Sequence, residues 1–272
     1  MKKSFLIFLS VTAFLVGEAL LLHFKTVAEP TTEMTEQDTT TTLSIPGPQP
    51  KQEPIAKPGT PEPIQAEQTA PSRTVRQNVV PFTVQAPGGK WDNPIFQDGC
   101  EESSMLMAMG FVNGTTSITA TDAADGITTL ATFEKKRFGY HEDIDLSEIM
   151  SVFREYFRYD GVMVKNNLTA DDIKRTLASG SIILAPTFGG ALGNPFFTPP
   201  GPITHMLVLT GYDPMTGEFI VNDPGTRRGE GYRYREQILF DAIWAYPPGK
   251  THPPVPEKSS RNKSVIIVSP KN

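Results

Sequence analysis

The sequence predicts an α+β domain, and three observations indicate this class. Segments rich in helix formers dominate the first half of the foldable part, and apolar strand-like runs dominate the second half. A turn-rich segment separates two of those runs, which is typical of an antiparallel hairpin. The chain has 272 residues, which is enough to bury one sizeable core. Its net charge is −5, and it lacks the basic stripe of a nucleic-acid-binding protein.

Residues 1–28 are predicted to form a signal peptide or a membrane anchor. Lys2 and Lys3 precede a nearly continuous apolar stretch at 5–22, which is long enough for either role. The Thr-Val-Ala sequence at 26–28 would be the cleavage site. Both alternatives place the rest of the chain outside the cytoplasm, either secreted or anchored to the membrane by this segment.

The predicted domain, 77–247, lies between two Pro-rich segments. Residues 29–76 are rich in Pro and Thr and nearly lack aromatic residues, so they cannot bury enough apolar surface to become ordered. We expect them to be a disordered linker. Residues 248–272 are predicted to be a Pro-rich C-terminal tail, in which 264–269 forms either a short edge strand or nothing ordered.

Within the domain, the elements are predicted from composition and from start and stop signals. Helices are expected at 101–111, 145–158, 169–180 and 236–244. Strands are expected at 161–164, 181–185, 205–210, 219–222 and 233–235, and residues 79–84 should form an entry strand or an extended segment.

Cys100 is the only cysteine, which excludes an internal disulfide and a thiolate-rich zinc site. It follows Gly99 where a loop turns into a predicted helix. The backbone N–H groups and the dipole at a helix N-terminus stabilise a thiolate, so we expect a lowered pKa and a nucleophile. Glu101 and Glu102 oppose the thiolate, which therefore needs a positive partner. The alternative is a buried structural cysteine.

His205 is the leading candidate for a catalytic base. It opens an apolar strand directly after the Gly/Pro-rich loop 189–202, so it would project from the edge of the sheet. His23 belongs to the N-terminal segment and His252 to the tail. Histidine is the commonest general base because its pKa lies near neutrality.

His141 lies in a polar loop with Glu142, Asp143 and Asp145. This group could bind a metal, but a capped helix start in solvent is favoured, because Asp145 begins a capping box. The sequence implies no metal or organic cofactor.

Asp223 is predicted to orient His205. Residues 211–217 form a turn, and a hairpin centred near Pro214 would place His205 nine residues before the centre and Asp223 nine after it, on the same face. A carboxylate there would fix the tautomer of the imidazole. A register slip of one residue would favour Asn222 instead. A plain turn at Asp223 is the other alternative.

Four stretches resemble a papain-like cysteine peptidase. The closest branch contains the peptidases that process bacteriocin leaders at a double glycine, together with their stand-alone, exported bacterial relatives. The stretches are VVPFTVQ (79–85), DGCEESS (98–104), HMLVLTGYD (205–213) and VNDPG (221–225). The resemblance covers 79–246. It implies a papain-like fold in which the helical part carries the cysteine and an antiparallel sheet carries the histidine and the aspartate.

The resemblance implies that Cys100 is the nucleophile, His205 the base and Asp223 the orienting acid of a peptidase that forms a thioester acyl-enzyme. It also implies a glutamine that donates to the oxyanion. Gln85 is the match, although it lies fifteen residues before Cys100, and Gln97 is the nearer alternative. The Gly and Trp that flank the cysteine in the better-known papain signature are absent.

The predicted substrate is a peptide or a protein, with peptidoglycan as a second candidate. A cell-wall amidase or another acyl transfer on the same triad is one alternative function, and a catalytically silent binding module is another. The loop 189–202, with Phe196 and Phe197, is predicted to form one wall of the cleft, unless these rings belong to the core.

Overall fold

The computed structural model describes residues 74–247 and 253–271. The predicted signal peptide or anchor, and the predicted linker up to residue 73, lie outside these residues. Among the helices of the described ranges, none has the length and apolar character needed to cross a membrane.

The described residues form helices and strands that alternate only in the second half of the domain. The helices are α1 (Pro94–Gln97), α2 (Cys100–Val112), α3 (Ala120–Phe138), α4 (Leu146–Glu155), α5 (Ala170–Ala178) and α6 (Glu236–Ala242). The strands are β1 (Arg76–Gln77), β2 (Val162–Lys165), β3 (Ile182–Thr187), β4 (His205–Asp213), β5 (Glu218–Asn222), β6 (Tyr232–Arg235) and β7 (Val265–Val268).

The strands form one antiparallel sheet in the order β2-β7-β3-β4-β5-β6, with β1 paired to the far end of β4. Helices α2 and α4 pack on one face, through side chains such as Met105 and Val152. Helices α5 and α6 pack on the other face, through side chains such as Ile173 and Leu239. Helices and an antiparallel sheet in one domain confirm the predicted α+β class.

Strand β4 is buried on both faces, which explains its nearly continuous apolar sequence. Successive side chains of a strand point to opposite faces. Met206 and Val208 therefore join the core under α2, whereas Leu207 and Leu209 join the core under α5 and α6. The sequence signal for this strand was strong because every residue from His205 to Gly211 is buried.

The predicted helix starts at 145 and 169 are confirmed. Asp145 accepts from the backbone N–H of Glu148, whose side chain accepts from the backbone N–H of Asp145, and this capping box begins α4. Thr169 and Asp172 make the same reciprocal pair at the start of α5.

Helix α3 was not predicted from the sequence, and its first part contains residues of low helix propensity. Several threonines and Gly126 lower its intrinsic propensity. The helix is held by packing, since a Cβ on Gly126 would lie 2.8 Å from the side chain of Leu106 on α2. Thr119 caps its first turn, and Gly139, with φ of 95°, ends it. The close contact between α2 and α3 therefore accounts for both the glycine and the helix.

The predicted entry strand at 79–84 is not a strand. Strand β1 is shorter and earlier, at Arg76–Gln77. The chain after it runs across the end of the sheet, where the side-chain amide of Asn222 donates to the carbonyls of Val80 and Pro81 (3.2 and 3.3 Å). The backbone N–H of Gln85 then donates to Pro224 O (2.9 Å).

The short strand predicted within residues 264–269 is confirmed as β7, but its predicted place at the edge is wrong, because β7 is an interior strand. It pairs with β2 on one side and with β3 on the other. Val265, Ile266 and Val268 are fully buried. Residues that the sequence assigned to a tail thus complete the sheet, and the segment 253–271 belongs to the folded domain. A run of four apolar residues carries no information about which distant strands it will join.

The interior position of β7 predicts that Ile266→Ala lowers the free energy of unfolding by about 2–5 kcal/mol, because it leaves a cavity in the core. Met163→Ala on the neighbouring strand β2 is the control. That side chain is 55% exposed, and its loss should change stability by about 0.5 kcal/mol or less. Urea denaturation measures both values, and equal effects would contradict the interior placement.

Candidate active site

Cys100 is the first residue of α2, as predicted, and its side chain is 5% exposed. Its thiol donates to Glu101 Oε2 at 2.9 Å. The backbone N–H of Met206 donates to the sulfur at 3.4 Å. Because Met206 directly follows His205 on β4, the sulfur lies at the beginning of that strand, beside the residue predicted to be the base.

The expectation that the pKa of Cys100 is lowered is wrong. Burial of the thiol raises its pKa well above the ordinary value of 9.0, and the charge of Glu101 and its hydrogen bond to the thiol raise it further. The N–H of Met206 acts in the opposite direction but is outweighed. The helix N-terminus does not prevail, because burial and then the Glu101 carboxylate in contact with the thiol outweigh it. The surroundings of Cys100 therefore favour the protonated thiol.

Glu101 is fully buried, and sequence reasoning missed its contact with the sulfur. Its other carboxylate oxygen accepts from the hydroxyl of Tyr246. Burial, followed by the charge of Asp143, raises the pKa of Glu101 to about 7. Because Glu101 directly follows Cys100, the sequence could have indicated this contact. Nothing in the sequence indicated the contact with Tyr246, because only the tertiary fold brings that residue back to α2.

His205 and Asp223 are in contact, as the sequence predicted. His205 Nε2 lies 2.7 Å from Asp223 Oδ1, and both side chains are at most 1% exposed. Asp223 Oδ2 accepts from the hydroxyl of Tyr234 (2.7 Å) and from the amide of Asn194 (3.3 Å), and the Gly225 N–H donates to Oδ1 (3.0 Å). With Nε2 held by Asp223, Nδ1 is the ring nitrogen left to exchange a proton.

The hairpin register on which this prediction rested is nevertheless wrong. Asp213 pairs with Glu218, so the turn is centred between residues 215 and 216 and not at Pro214. His205 and Asp223 are therefore not directly opposite each other. A different feature of the hairpin brings their side chains to the same face.

That feature is a β-bulge at Thr210. Beyond it the register shifts by one residue, and Val208 pairs with Asn222. Continued by one residue, this register sets Asp223 diagonally opposite His205, on the same face and within reach of long side chains. Without the bulge, Asp223 would fall opposite Val208, whose side chain points to the other face.

Asn222, the alternative orienting residue, faces away from His205. Its amide donates to the chain at 80–81, and its Oδ1 accepts from the backbone N–H of Gly231 at 3.1 Å. The side chain of Asn222 thus anchors the segment before Gln85 and the connection after β5.

The pKa of Asp223 lies below its ordinary value of 3.8. Burial alone would raise it, but the His205 ring, by its charge and its hydrogen bond, outweighs burial with the help of the Tyr234 hydroxyl and the Gly225 N–H. Asp223 is therefore an ionised carboxylate, which matches the role of an orienting group.

The two glutamines considered for the oxyanion differ in their surroundings. Gln85 is 6% exposed, and its amide nitrogen donates to Gln97 O (2.7 Å) and Phe96 O (3.2 Å), next to Cys100. The side chain of Gln97 is exposed and donates to Trp91 O (2.9 Å). Both residues line the cleft described next, but Gln85 is held more firmly.

A cleft of about 800 Å³ contains Gln85, Cys100 and His205 on its wall. Phe196 and Phe197, from the loop predicted to border the cleft, also line it. The Phe197 ring stands edge-on to the His205 imidazole, with 5.2 Å between ring centroids. Behind the ring, a Cβ on residue 225 would approach His205 Cε1 to 2.9 Å, which explains the glycine there.

Of the polar cluster that the sequence suggested, His141 contacts Glu142, whose Oε1 lies 3.5 Å from His141 Nε2. Asp145 caps α4, as favoured, but the expected position in solvent is wrong, because His141, Asp143 and Asp145 are buried. The imidazole of His141 instead points inward, where Nδ1 lies 3.2 Å from Glu102 Oε1, and both residues are buried together with Glu134.

Comparison with known proteins identifies the family of the chain. A family model described as "Peptidase_C39 like family" matches residues 77–247, and the chain belongs to this family. Family membership supports a cysteine peptidase acting on a peptide or protein, and a papain-like fold. A crystal structure from Bacillus anthracis, described as a "putative C39-like peptidase", is 14% identical and covers 72% of this chain and 98% of its own, with a TM-score of 0.46. No curated protein sequence matches the chain.

The lowered pKa of Asp223 predicts a loss of stability in acid. Its ordinary pKa is 3.8, and the native value is lower, so the ionised group stabilises the fold above about pH 4 and this contribution disappears as the pH falls through the native pKa. The difference in the free energy of unfolding between wild type and Asp223→Asn should therefore be present at about pH 5 and shrink toward about pH 2.

Urea denaturation across this pH range measures that difference. Glu230→Gln removes an exposed carboxylate from the same connection and should follow wild type at every pH. If the Asp223→Asn difference persists undiminished in acid, the lowered pKa is wrong.

Proposed function

We propose that this protein hydrolyses peptide bonds with Cys100 as nucleophile, His205 as base and Asp223 as the group that orients the imidazole. The observation that carries the proposal is the 2.7 Å contact between His205 Nε2 and Asp223 Oδ1, which leaves Nδ1 for a thiol in the same cleft. The contact of Cys100 with Met206, next to His205, supports the pairing of thiol and imidazole.

The chemistry begins from the protonated Cys100 thiol. The proton of the Cys100 thiol passes to His205 Nδ1, and the thiolate, held by the Met206 N–H, attacks the carbonyl carbon of the scissile bond. The His205 imidazolium, stabilised by Asp223, then gives its proton to the leaving amine as the C–N bond breaks. Water, deprotonated by His205, hydrolyses the resulting thioester and releases the acid and the thiol.

Glu101 is proposed to keep the thiol protonated at rest. The carboxylate accepts the S–H hydrogen bond, and its negative charge disfavours a thiolate beside it. A substrate that enters the cleft would exchange this arrangement for the thiolate–imidazolium pair. Such a resting thiol is less exposed to oxidation than a free thiolate.

Gln85 is proposed as the side-chain donor to the oxyanion, together with the backbone N–H of Cys100. Both of its amide N–H groups are bound to carbonyls, at 2.7 Å and 3.2 Å. The longer bond, to Phe96 O, is the one that the oxyanion would replace. The shorter bond, to Gln97 O, would keep the amide in position.

We further propose that the reaction takes place outside the cytoplasm. The positively charged start and the apolar stretch of residues 2–22 support export, with retention at the membrane or release after cleavage. A peptide or protein is the proposed substrate. Peptidoglycan cross-links are the competing substrate, and the experiment below includes them for that reason.

The test compares wild type with variants of the triad on a peptide library and on purified peptidoglycan. We expect Cys100→Ala and His205→Ala to lose all cleavage above background. Asp223→Asn should lower kcat by up to about 10⁴-fold, because the imidazole loses its orientation and charge stabilisation. Mass spectrometry of the products identifies the broken bonds.

Glu230→Gln, an exposed carboxylate near Asp223, is the matched control and should retain wild-type turnover. Full turnover by Cys100→Ala would refute the assignment of the nucleophile. Release of muropeptides without any peptide cleavage would replace the peptidase by a cell-wall amidase.

The oxyanion assignment predicts a difference between two glutamines. Gln85→Ala should lower kcat by about 10²–10³-fold, the effect of removing one oxyanion donor. Gln97→Ala, whose side chain is exposed, should leave kcat nearly unchanged. Steady-state kinetics on the best peptide measures both, and a thermal melt of each variant confirms that the fold is intact. The opposite ranking would assign the oxyanion to Gln97.

A further inference from the structure

We propose that Glu102, Glu134 and His141 form a site for one divalent transition-metal ion, such as Zn²⁺, which joins α2 to α3 behind the catalytic cysteine. Glu102 lies in the first turn of α2, Glu134 in the last turns of α3, and His141 in the connection from α3 to α4. The fold therefore brings together three ligands from three separate segments.

The three side chains are arranged around a common point. One ligand atom from each lies within 4.8 Å of the other two, and His141 Nδ1 is 3.2 Å from Glu102 Oε1. A Zn²⁺ ion with bonds of about 2.0–2.2 Å holds its ligands about 3–4 Å apart, so a small side-chain adjustment would close the site. All three residues are at most 1% exposed.

Three of the four carboxylate oxygens in this cluster accept no hydrogen bond from a donor. Glu102 Oε2 and both oxygens of Glu134 are buried and make no hydrogen bond to a donor. Burial of unpaired carboxylates is costly, and neighbouring charges add to that cost, from Glu101 at Glu102 and from Glu102 at Glu134. Such a pair needs either a cation or a proton shared between the two groups. A cation would satisfy all three unpartnered oxygens together with the imidazole.

The imidazole is already oriented as a metal ligand would be. Its Nε2 faces Glu142 Oε1 at 3.5 Å, and Glu142 Oε2 accepts from the backbone N–H of His141 at 3.1 Å. Ligating histidines usually give their second ring nitrogen to a carboxylate, which fixes the tautomer. Nδ1 is thereby directed toward Glu102 and Glu134.

The donor set determines the kind of ion. One imidazole nitrogen and two carboxylates suit Zn²⁺ or a related transition metal, whereas Ca²⁺ and Mg²⁺ prefer oxygen ligands alone. None of the three residues lines the catalytic cleft, so the ion would stabilise the fold and would not meet the substrate. Because Glu102 is two residues from Cys100, the ion would also fix the start of α2.

The test uses the full chain, produced in zinc-supplemented medium and analysed for metal by mass spectrometry. We expect about one Zn²⁺ per chain in wild type, because the three side chains form a single site. A chelator should lower the Tm. Zn²⁺ returned at a hundredfold excess over its Kd should raise the Tm by about 5–10 °C, and Ca²⁺ or Mg²⁺ should not.

Glu134→Gln and Asp125→Asn provide a matched pair on α3, since Asp125 is exposed on the same helix. Glu134→Gln should lose the bound Zn²⁺ and the Zn²⁺-dependent rise in Tm, whereas Asp125→Asn should keep both. If the two carboxylates share a proton instead, wild type carries no metal and Glu134→Gln, which mimics the protonated acid, melts like wild type. That result, or Zn²⁺ bound equally by Glu134→Gln, would overturn the proposal.

If Glu134→Gln fails to fold, the wild-type measurements alone test the metal proposal. Zn²⁺ content and the Zn²⁺ dependence of the Tm need no variant, and neither readout involves cleavage of a substrate. The metal proposal and the peptidase proposal can therefore fail independently.

Discussion

The arrangement of the site depends on strand β4. It pairs with β3 and β5, its two faces contribute to both cores, and its first residue is His205. The next residue, Met206, binds the sulfur of Cys100 through its backbone N–H. Because the strand is buried on both sides, it cannot slide or tilt without disrupting either core. The position of helix α2 relative to the His205 imidazole is thus fixed by β4.

The first turn of α2 concentrates negative groups where water is excluded. Glu101 touches the thiol, and Glu102 turns the other way, toward Glu134 and His141. The two neighbouring glutamates therefore have different environments. Glu101 adjoins the candidate nucleophile, and Glu102 reaches between α2 and α3. Burial makes both ionised forms costly, so protons, hydrogen-bond donors or a cation must compensate. Tyr246 does so for Glu101.

The bulge at Thr210 shows how a local irregularity can decide the chemistry of a site. A regular hairpin of the observed turn would point Asp223 away from His205. The extra residue restores a common face, and Tyr234 and Asn194 then hold the carboxylate in place. The hydrogen bonds made by Asn222 fix the chain at residues 80–81 and at Gly231. The contact between His205 and Asp223 thus depends on the whole connection after β5.

The sequence by itself determined the α+β class, the start of α2 at Cys100, the capped starts of α4 and α5, and the identity of the residues His205 and Asp223. Neighbouring residues specify these features: a glycine before a helix, a capping pair, and an apolar run after a histidine. Such features can be predicted from the sequence because propensity and capping act within a few residues.

Only the tertiary structure decided the interior place of β7, the existence of α3, the bulge at Thr210 and the raised pKa of Cys100. Each depends on a contact between residues far apart in the chain or on the exclusion of water around a group. Burial and long-range pairing are properties of the assembled core, and no short stretch of sequence specifies which partners will supply them.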